Sequence, residues 1–337
     1  MIEENVSLKP CNTFGIEARA RYFAPFASTE NLLSLLDDAR AKPQPRLILG
    51  GGSNLLLTGD IDGLVLRNEI KGIDIVDEND EYVFIRAGAG ESWHGLVLHC
   101  VNNGYAGMEN LALIPGNAGA SPMQNIGAYG VEIKDIFHEL EAIHLHDRTT
   151  HRFSREDCAF GYRESVFKGR YKNQFVITSV TYRLTKTPRF NTSYGAIAQE
   201  LENMGVKELS IAAVAQAVIN IRSSKLPDPK QVGNAGSFFK NPTIPNAQFE
   251  TLKASFPGIV AFPAGEDHTK LAAGWLIEQC GWKGYREGDA GCYPKQALVL
   301  VNYGNAAGRE IYALSEKIIT SVRQKFGITL EREVNVL

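Results

Sequence analysis

Residues 114–133 hold four glycines, two prolines and three alanines, with no lysine or arginine among them. Neither a helix interior nor a central strand tolerates that mix. Glycine permits positive φ and close approach of backbone to a ligand, and successive N–H groups in such turns form nests for anions. The chemistry suggested is capture of a diphosphate by backbone amides; the plain alternative is a packed turn. A second loop of this kind, Gly50-Gly51-Gly52-Ser53-Asn54, follows the apolar run Leu47-Ile48-Leu49. Neither loop is a Rossmann fingerprint or a P-loop, because no G-x-G-x-x-G opens a helix and no Gly-Lys-Ser/Thr is present. Gly88-Ala89-Gly90 begins such a fingerprint, but Trp93 stands at its third glycine position.

Other stretches carry chemically useful groups. Phe160-Gly161-Tyr162-Arg163 reads either as a surface turn with a stacked arginine or as a guanidinium held against a flat anion, which arginine binds bidentately. Thr192-Ser193-Tyr194-Gly195 is a polar loop with one aromatic, and 233–242 is again glycine-rich, with Ser237 and Asn241 inside it. A serine there is ordinarily a loop hydroxyl bonded to its own backbone. Glu331 and Glu333 lie in a terminal segment that reads as an edge strand with a solvated face. His144 and His146 share one face of a strand, but no third ligand is evident nearby, so no metal is expected.

The elements that must position these groups alternate in type. Ser28 caps a helix with Leu32, Leu33, Leu36 and Ala39 on one face, ended by Pro43 and Pro45. Trp93, Leu96, Val97, Cys100 and Val101 recur at helical spacing up to Gly104. Further helices are expected after Ser210, over 269–280 and over 308–326. Strands are expected near 18–24, 47–49, 63–66, 82–87, 137–146, 175–184, 297–302 and 328–337. Lys225-Leu226-Pro227-Asp228-Pro229-Lys230 reads as a rigid linker.

The chain has 337 residues and a net charge of −3, with Lys and Arg spread along its length, which gives no sign of a nucleic-acid partner. No leader pattern opens it and no apolar run of about 18 residues occurs, so no membrane insertion is expected. Five cysteines, odd in number and widely spaced, argue for reduced thiols in a cytoplasmic protein.

Taken together, Asn12-Thr13-Phe14-Gly15, the loops 50–54 and 114–133, Gly161-Tyr162-Arg163, and the segments 225–230, 233–242 and 330–334 occur in an order that resembles the UDP-N-acetylenolpyruvoylglucosamine reductase family, nearly end to end. The resemblance implies an α+β protein. It would comprise a two-subdomain FAD-binding module of the vanillyl-alcohol-oxidase (p-cresol methylhydroxylase) type, over 1–72 and 73–204, and a smaller substrate domain over 205–337. It implies non-covalent FAD, NADPH as co-substrate, and reduction of UDP-N-acetylglucosamine enolpyruvate to UDP-N-acetylmuramate for bacterial peptidoglycan, hydride passing from flavin N5 to the enolpyruvyl group.

FAD would be held by Gly50, Gly51, Gly52, Ser53, Asn54, Pro115, Gly116, Gly119, Ala120, Gln124, Asn125, Gly127, Ala128, Tyr129 and Gly130. Arg163 matches the position holding the substrate carboxylate, Glu333 its acidic partner and Ser237 the proton donor. Tyr162, Tyr194, Lys225, Asn241 and Gln296 match substrate-contacting or orienting positions, and Tyr194 suggests the subtype with a tyrosine-bearing loop. Asn117, Ala118, Ser121, Met123 and Asn335 depart from the family's usual residues; the last touches the packing near Glu333. Nothing in the chain demands more than a monomer. An oxidase using the same flavin module, or a non-catalytic UDP-sugar-binding protein, are the competing readings.

Overall fold

A computed structural model describes residues 1–41, 46–194 and 196–337. Pro43, Pro45 and Gly195 lie outside the described residues. The chain divides into two compact units, one of residues 1–6, 20–51 and 61–224, the other of residues 7–19, 52–60 and 225–337.

The first unit contains two sheets. In one, the strand order is Glu3–Ser7, Arg19–Phe26, Ile61–Asn68, Arg46–Leu49. Ile61–Asn68 runs parallel to both of its neighbours, with Tyr22 opposite Leu64 and Leu47 opposite Val65. Parallel neighbours need a crossover, and the helix Thr29–Asp37 supplies one. Ser28 Oγ accepts from the N–H of Asn31 at 3.1 Å and so caps it. The helix ends earlier than its pattern suggests, and Leu35 is buried in place of Ala39, along with Leu32 and Leu36.

The other sheet is antiparallel, in the order Thr150–Ser154, Phe137–His144, Phe175–Thr185, Tyr82–Gly88, Ile73–Glu78. Its apolar face packs on the helix Trp93–Asn102, which buries the five residues expected of it. Trp93 and Tyr182 meet edge to face at 5.7 Å, and Trp93 Nε1–H donates to the carbonyl of Leu111 at 2.9 Å. A fully buried indole therefore keeps its polar end satisfied. The helix Ile211–Lys225 adds Ile211, Val218 and Ile221 to the same core.

The second unit is built around the antiparallel order Gly233–Ser237, Val299–Asn302, Ala290–Cys292, Arg286–Glu287, flanked by the helix Gly308–Phe326. Gly327, at φ 68°, closes that helix in the left-handed conformation that glycine adopts without a Cβ penalty. A three-stranded sheet joins Thr243–Pro245, His268–Leu271 and Ala261–Pro263. Thr269, Lys270 and Leu271 thus pair as strand instead of opening the expected helix, which is confined to Ala273–Gln279. The strand expected over 328–337 is reduced to Asn335–Val336, which pairs in parallel with Leu55–Leu56.

The Asn12-Thr13-Phe14-Gly15 motif belongs to this second unit. Asn12, buried, accepts from Ile16 N–H and donates to the carbonyls of Leu8 and Ile16. Thr13 Oγ1 donates to the carbonyl of Asn234 at 2.6 Å, and Asn302 Nδ2 donates to that of Phe14 at 2.9 Å. A polar quartet that reads as a turn is a clamp between strands far apart in sequence.

Candidate active-site groups

Within the first unit the two glycine loops touch backbone to backbone. A Cβ built on Gly51 would sit 3.0 Å from Gly116 Cα and 2.6 Å from Asn117 Oδ1. The 114–133 loop is then hung on the loop before the helix Trp93–Asn102. Gly116 C=O accepts from Trp93 N–H, and the N–H groups of Ala118 and Gly119 donate to the carbonyls of Glu91 and Ala89. Ala120 N–H donates to Asn117 C=O. The amides of Ala118 and Gly119 are therefore spent on the neighbouring loop and that of Ala120 on its own turn, which narrows the backbone donors the loop can offer a ligand. Gly52, Ser53 and Asn54 lie in the second unit. Gly52 at φ 62° rests on Cys11, Asn54 Nδ2 donates to Glu333 C=O at 3.3 Å, and Asn335 Nδ2 donates to Asn54 C=O at 3.0 Å.

Downstream, Gly127–Ala128 and Val131–Glu132 form a hairpin whose two turn residues, Tyr129 and Gly130, have φ of 49° and 81°. Two consecutive left-handed residues make the turn that suits the twist of a two-residue hairpin. Tyr129 projects from it and is mostly withdrawn from water, which raises its phenol pKa. Its ring meets that of Tyr194 edge to face at 6.3 Å. Buried Asn110 ties the two loops, donating from Nδ2 to Tyr129 C=O at 2.9 Å and Asn191 C=O at 2.8 Å.

Arg163 is the third residue of the turn Gly161-Tyr162-Arg163-Glu164, closed by Gly161 N–H to Glu164 C=O at 3.0 Å. Its φ of 56° is a conformation non-glycine residues rarely adopt. The guanidinium stacks over Tyr162 at 5.3 Å and donates to the carbonyls of Gly127 at 2.7 Å and Asn125 at 3.4 Å. Asn125 locks the pair of loops. Fully buried and itself at φ 45°, it donates to Gly161 C=O (2.9 Å) and Glu132 Oε2 (3.1 Å) and accepts from Lys134 N–H (3.0 Å). Of the eight non-glycine residues at positive φ among the described residues, Leu113, Asn125, Tyr129 and Arg163 fall on this small region. Such strain persists where the surroundings over-determine it, which is characteristic of functional sites.

In the second unit Ser237 ends the strand Gly233–Ser237, opposite Val299. Gly236 before it has φ 68° and no heavy atom within 4 Å of an added Cβ. The N–H of Glu333 donates to the carbonyl of Phe238 at 2.9 Å, which places Glu333 and Ser237 on adjoining backbone segments. Its neighbour Glu331 is 2.5 Å from buried Lys240 Nζ. Asn241 Oδ1 accepts from Ala273 N–H at 2.9 Å, capping the helix Ala273–Gln279 and leaving its amide NH2 group for other contacts. Gln296 Oε1 accepts from Leu298 N–H at 3.3 Å beside Gly274, where a Cβ would come within 2.8 Å of it. Lys225 is exposed at the end of the helix Ile211–Lys225.

Sequence reasoning assigned Asn125 to a cofactor and passed over Asn110 and Arg222. Arg222 is partly buried, and desolvation lowers the pKa of its guanidinium; among the described residues it makes no ion pair. Its Nε donates to Leu113 C=O at 3.2 Å, and it lies close enough to Tyr129 and His94 to act on both electrostatically. A single arginine in the last turns of a helix carries no local motif that would have marked it.

These residues fit a flavin dinucleotide held without a Rossmann motif. The two glycine loops meet at Gly51 and Gly116 with no lysine in either, and Arg222, which makes no ion pair among the described residues, donates to Leu113 just before the second loop. The comparisons with known proteins agree. A profile described as an FAD binding domain matches residues 20–154, and one described as the C-terminal domain of UDP-N-acetylenolpyruvoylglucosamine reductase matches residues 228–337. The UDP-N-acetylenolpyruvoylglucosamine reductase of Flavobacterium johnsoniae is 50% identical over 337 residues, 100% of this chain and 99% of that one. The crystal structure of the Thermus caldophilus enzyme covers 100% of this chain and 99% of its own, at TM-score 0.70 and 26% identity. p-Cresol methylhydroxylase shares the fold alone, at TM-score 0.50 and 9% identity over 96% of this chain and 83% of that one. The fold is thus the α+β flavoprotein class of that enzyme with an added C-terminal domain, and the chain belongs to the UDP-N-acetylenolpyruvoylglucosamine reductase family.

Proposed function

We propose that this chain reduces UDP-N-acetylglucosamine enolpyruvate to UDP-N-acetylmuramate in bacterial peptidoglycan synthesis, taking its electrons from NADPH. The observation that carries this reading is the strained turn that presents Arg163 with its guanidinium already oriented by two backbone carbonyls and the Tyr162 ring. Bound FAD supplies the hydride chemistry. The chain's own residues bind, orient and protonate. When hydride reaches the terminal carbon of an enol ether carrying a carboxylate, negative charge develops on the adjacent carbon and spreads into that carboxylate. A fixed cation is worth most where such charge develops. Arg163 holds the carboxylate and takes up that charge; a preset guanidinium loses little freedom in doing so.

Ser237 gives the proton to the carbanionic carbon. A hydroxyl is a weak acid, and it serves because its acceptor is a very strong base; such assistance contributes roughly 10²–10⁴-fold. Glu333, oriented with help from Gln296, acts as the acidic partner of Arg163. It assists only when protonated or turned to a donor, since a bare carboxylate beside a forming carbanion opposes the step. Tyr162 stacks on Arg163, while Tyr194, Lys225 and the free amide of Asn241 take the substrate diphosphate. Residues 50–54 and 115–130 would hold FAD, and the chain would work as a cytoplasmic monomer with FAD subdomains at 1–72 and 73–204 and a substrate domain at 205–337.

The test is an anaerobic stopped-flow experiment on Ser237→Ala. NADPH bleaches the flavin at the wild-type rate, and the enolpyruvyl UDP-sugar then fails to restore the oxidised spectrum. Reoxidation by substrate at the wild-type rate removes Ser237 from the mechanism. Rapid reoxidation of the wild-type protein by air, indifferent to the UDP-sugar, replaces the reductase reading with an oxidase.

A further inference from the structure

The end of the hairpin between the strands Phe137–His144 and Thr150–Ser154 gathers groups that the proposed reaction does not use. The pair is in register with Ala142 opposite His151 and Ile143 opposite Thr150. This brings His151 back across to His144, with ring centroids 5.8 Å apart. Asp147 comes from the intervening turn, its Oδ2 2.9 Å from His144 Nδ1. One ligand atom from each of His144, Asp147 and His151 lies within 4.8 Å of the other two. His144 Nδ1 is shielded from water and makes no aligned hydrogen bond among the described residues. The three line a cavity of about 540 Å³. The two arginines that share it are occupied elsewhere, Arg152 with Glu141 at 2.9 Å and Arg170 over the ring of Tyr171 at 5.0 Å.

We propose that His144, Asp147 and His151 form a binding site for a borderline divalent transition metal, with Zn²⁺ as the probe, that clamps the end of this hairpin. Two imidazoles and one carboxylate are a set that such ions take with a fourth position left to water, whereas Ca²⁺ and Mg²⁺ demand oxygen ligands. Bonds of about 2.0–2.1 Å in a tetrahedron hold ligand atoms roughly 3.4 Å apart, so closure needs a movement on the order of 1 Å. Side-chain rotation of Asp147 and His151, both exposed, can supply that. In the metal-free arrangement Thr149 holds the set nearly in place: its Oγ1 donates to Asp147 Oδ1 at 2.5 Å and lies 2.8 Å from His151 Nε2. The spacing of His144 and His146 along one strand is not the basis of the site. His146 is 6.4 Å from His144 between ring centroids and lies outside the cluster; the missing third ligand comes from the opposite strand.

Calorimetric titration of tag-free protein with ZnCl2 tests this, with melting midpoints of the same samples as a second readout. One equivalent binds saturably and raises the melting midpoint, and EDTA reverses both effects, while CaCl2 gives neither. His151→Ala and Asp147→Asn each weaken binding by at least about 10-fold, since even outer-shell partners are worth that much. His146→Ala leaves it unchanged. Asp147→Asn keeps an acceptor for Thr149, and circular dichroism of the metal-free variants checks that the hairpin region still folds. Absence of saturable binding overturns the proposal, and so does unchanged affinity in His151→Ala or a site that vanishes when thiols are blocked.

Discussion

Replacing Asn125 with alanine tests how the Arg163 turn is held. The side chain is fully buried and makes three hydrogen bonds, to Gly161 C=O, to Glu132 Oε2 and from Lys134 N–H. Each neutral bond is worth about 1 kcal/mol, and the bond to the carboxylate about 1.5 kcal/mol at the low end of its range because Glu132 is partly exposed. Alanine at φ 45° adds about 1 kcal/mol, since asparagine tolerates the left-handed region better. The sum is about 4.5 kcal/mol, read as a shift of the urea midpoint at constant m-value. Asn125→Gly removes the backbone part, so it recovers about 1 kcal/mol relative to alanine.

The kinetic consequence follows from the same bonds. Without them the Gly161–Glu164 turn is no longer tied to the 114–133 loop, and a displacement of about 1 Å at Arg163 costs on the order of 10²-fold in a step that depends on orientation. That loss falls on flavin reoxidation by substrate and spares flavin reduction by NADPH. A variant within about 1 kcal/mol of wild type, or one that slows both half-reactions equally, refutes the assignment of Asn125 as the positioning residue for Arg163.

Two glycine substitutions separate strain from collision. Gly52→Ala drives a Cβ to 2.0 Å from Cys11 C=O at φ 62° and abolishes folding, whereas Gly236→Ala, at φ 68° in open space, costs about 1–2 kcal/mol in chemical denaturation. Burial pushes the thiols of Cys100, Cys158 and Cys292 up to about 12, so a disulfide reagent leaves all three unlabelled in the native protein and labels Cys280, half-buried, fastest of these four; mass spectrometry of the labelled peptides reads the order. Desolvation first, and then Arg222, hold the His94 imidazole below 6.5, and its Nδ1 accepts from Leu113 N–H at 3.0 Å. The unfolded chain takes up that proton more readily, so the stability due to neutral His94 is complete above pH 6.5 and is lost as pH falls below it; His94→Gln flattens this part of the pH–stability curve.

The helices were the most legible part of the sequence. Ser28, Ser92 and Ser210 all accept from the first turn of the helix they precede, and apolar residues at helical spacing fill the core. Local patterns of that kind are written within a dozen residues. The 269–271 stretch failed because its strand character comes from pairing with Thr243–Pro245 and Ala261–Pro263, which no local window contains. The glycine loops were visible from composition, but the engaged amides of Ala118 and Gly119 were not, since their partners at Glu91 and Ala89 are set by packing. Asn125 illustrates the limit: within 114–133 it is one polar residue among small ones, and only the return of the 161–164 turn makes it a hub. His151 stayed hidden for the same reason, because hairpin register and not spacing brings it to His144.

The parallel pairing of Asn335–Val336 with Leu55–Leu56, together with Thr58 N–H donating to Leu337 C=O at 2.7 Å, bears on synthesis. Residues 7–19 and 52–60 leave the ribosome early, yet their partners in the second unit lie at 225–337. The apolar side chains Phe14, Ile16, Leu55, Leu56 and Leu57, all buried in the finished protein, must wait through most of translation for the strands that cover them. The nascent chain therefore carries two greasy segments through its longest exposed interval, a natural load for a holding chaperone. Removing the 335–336 strand leaves the 55–56 edge without its partner, an unpaired edge of the kind that invites association with other chains.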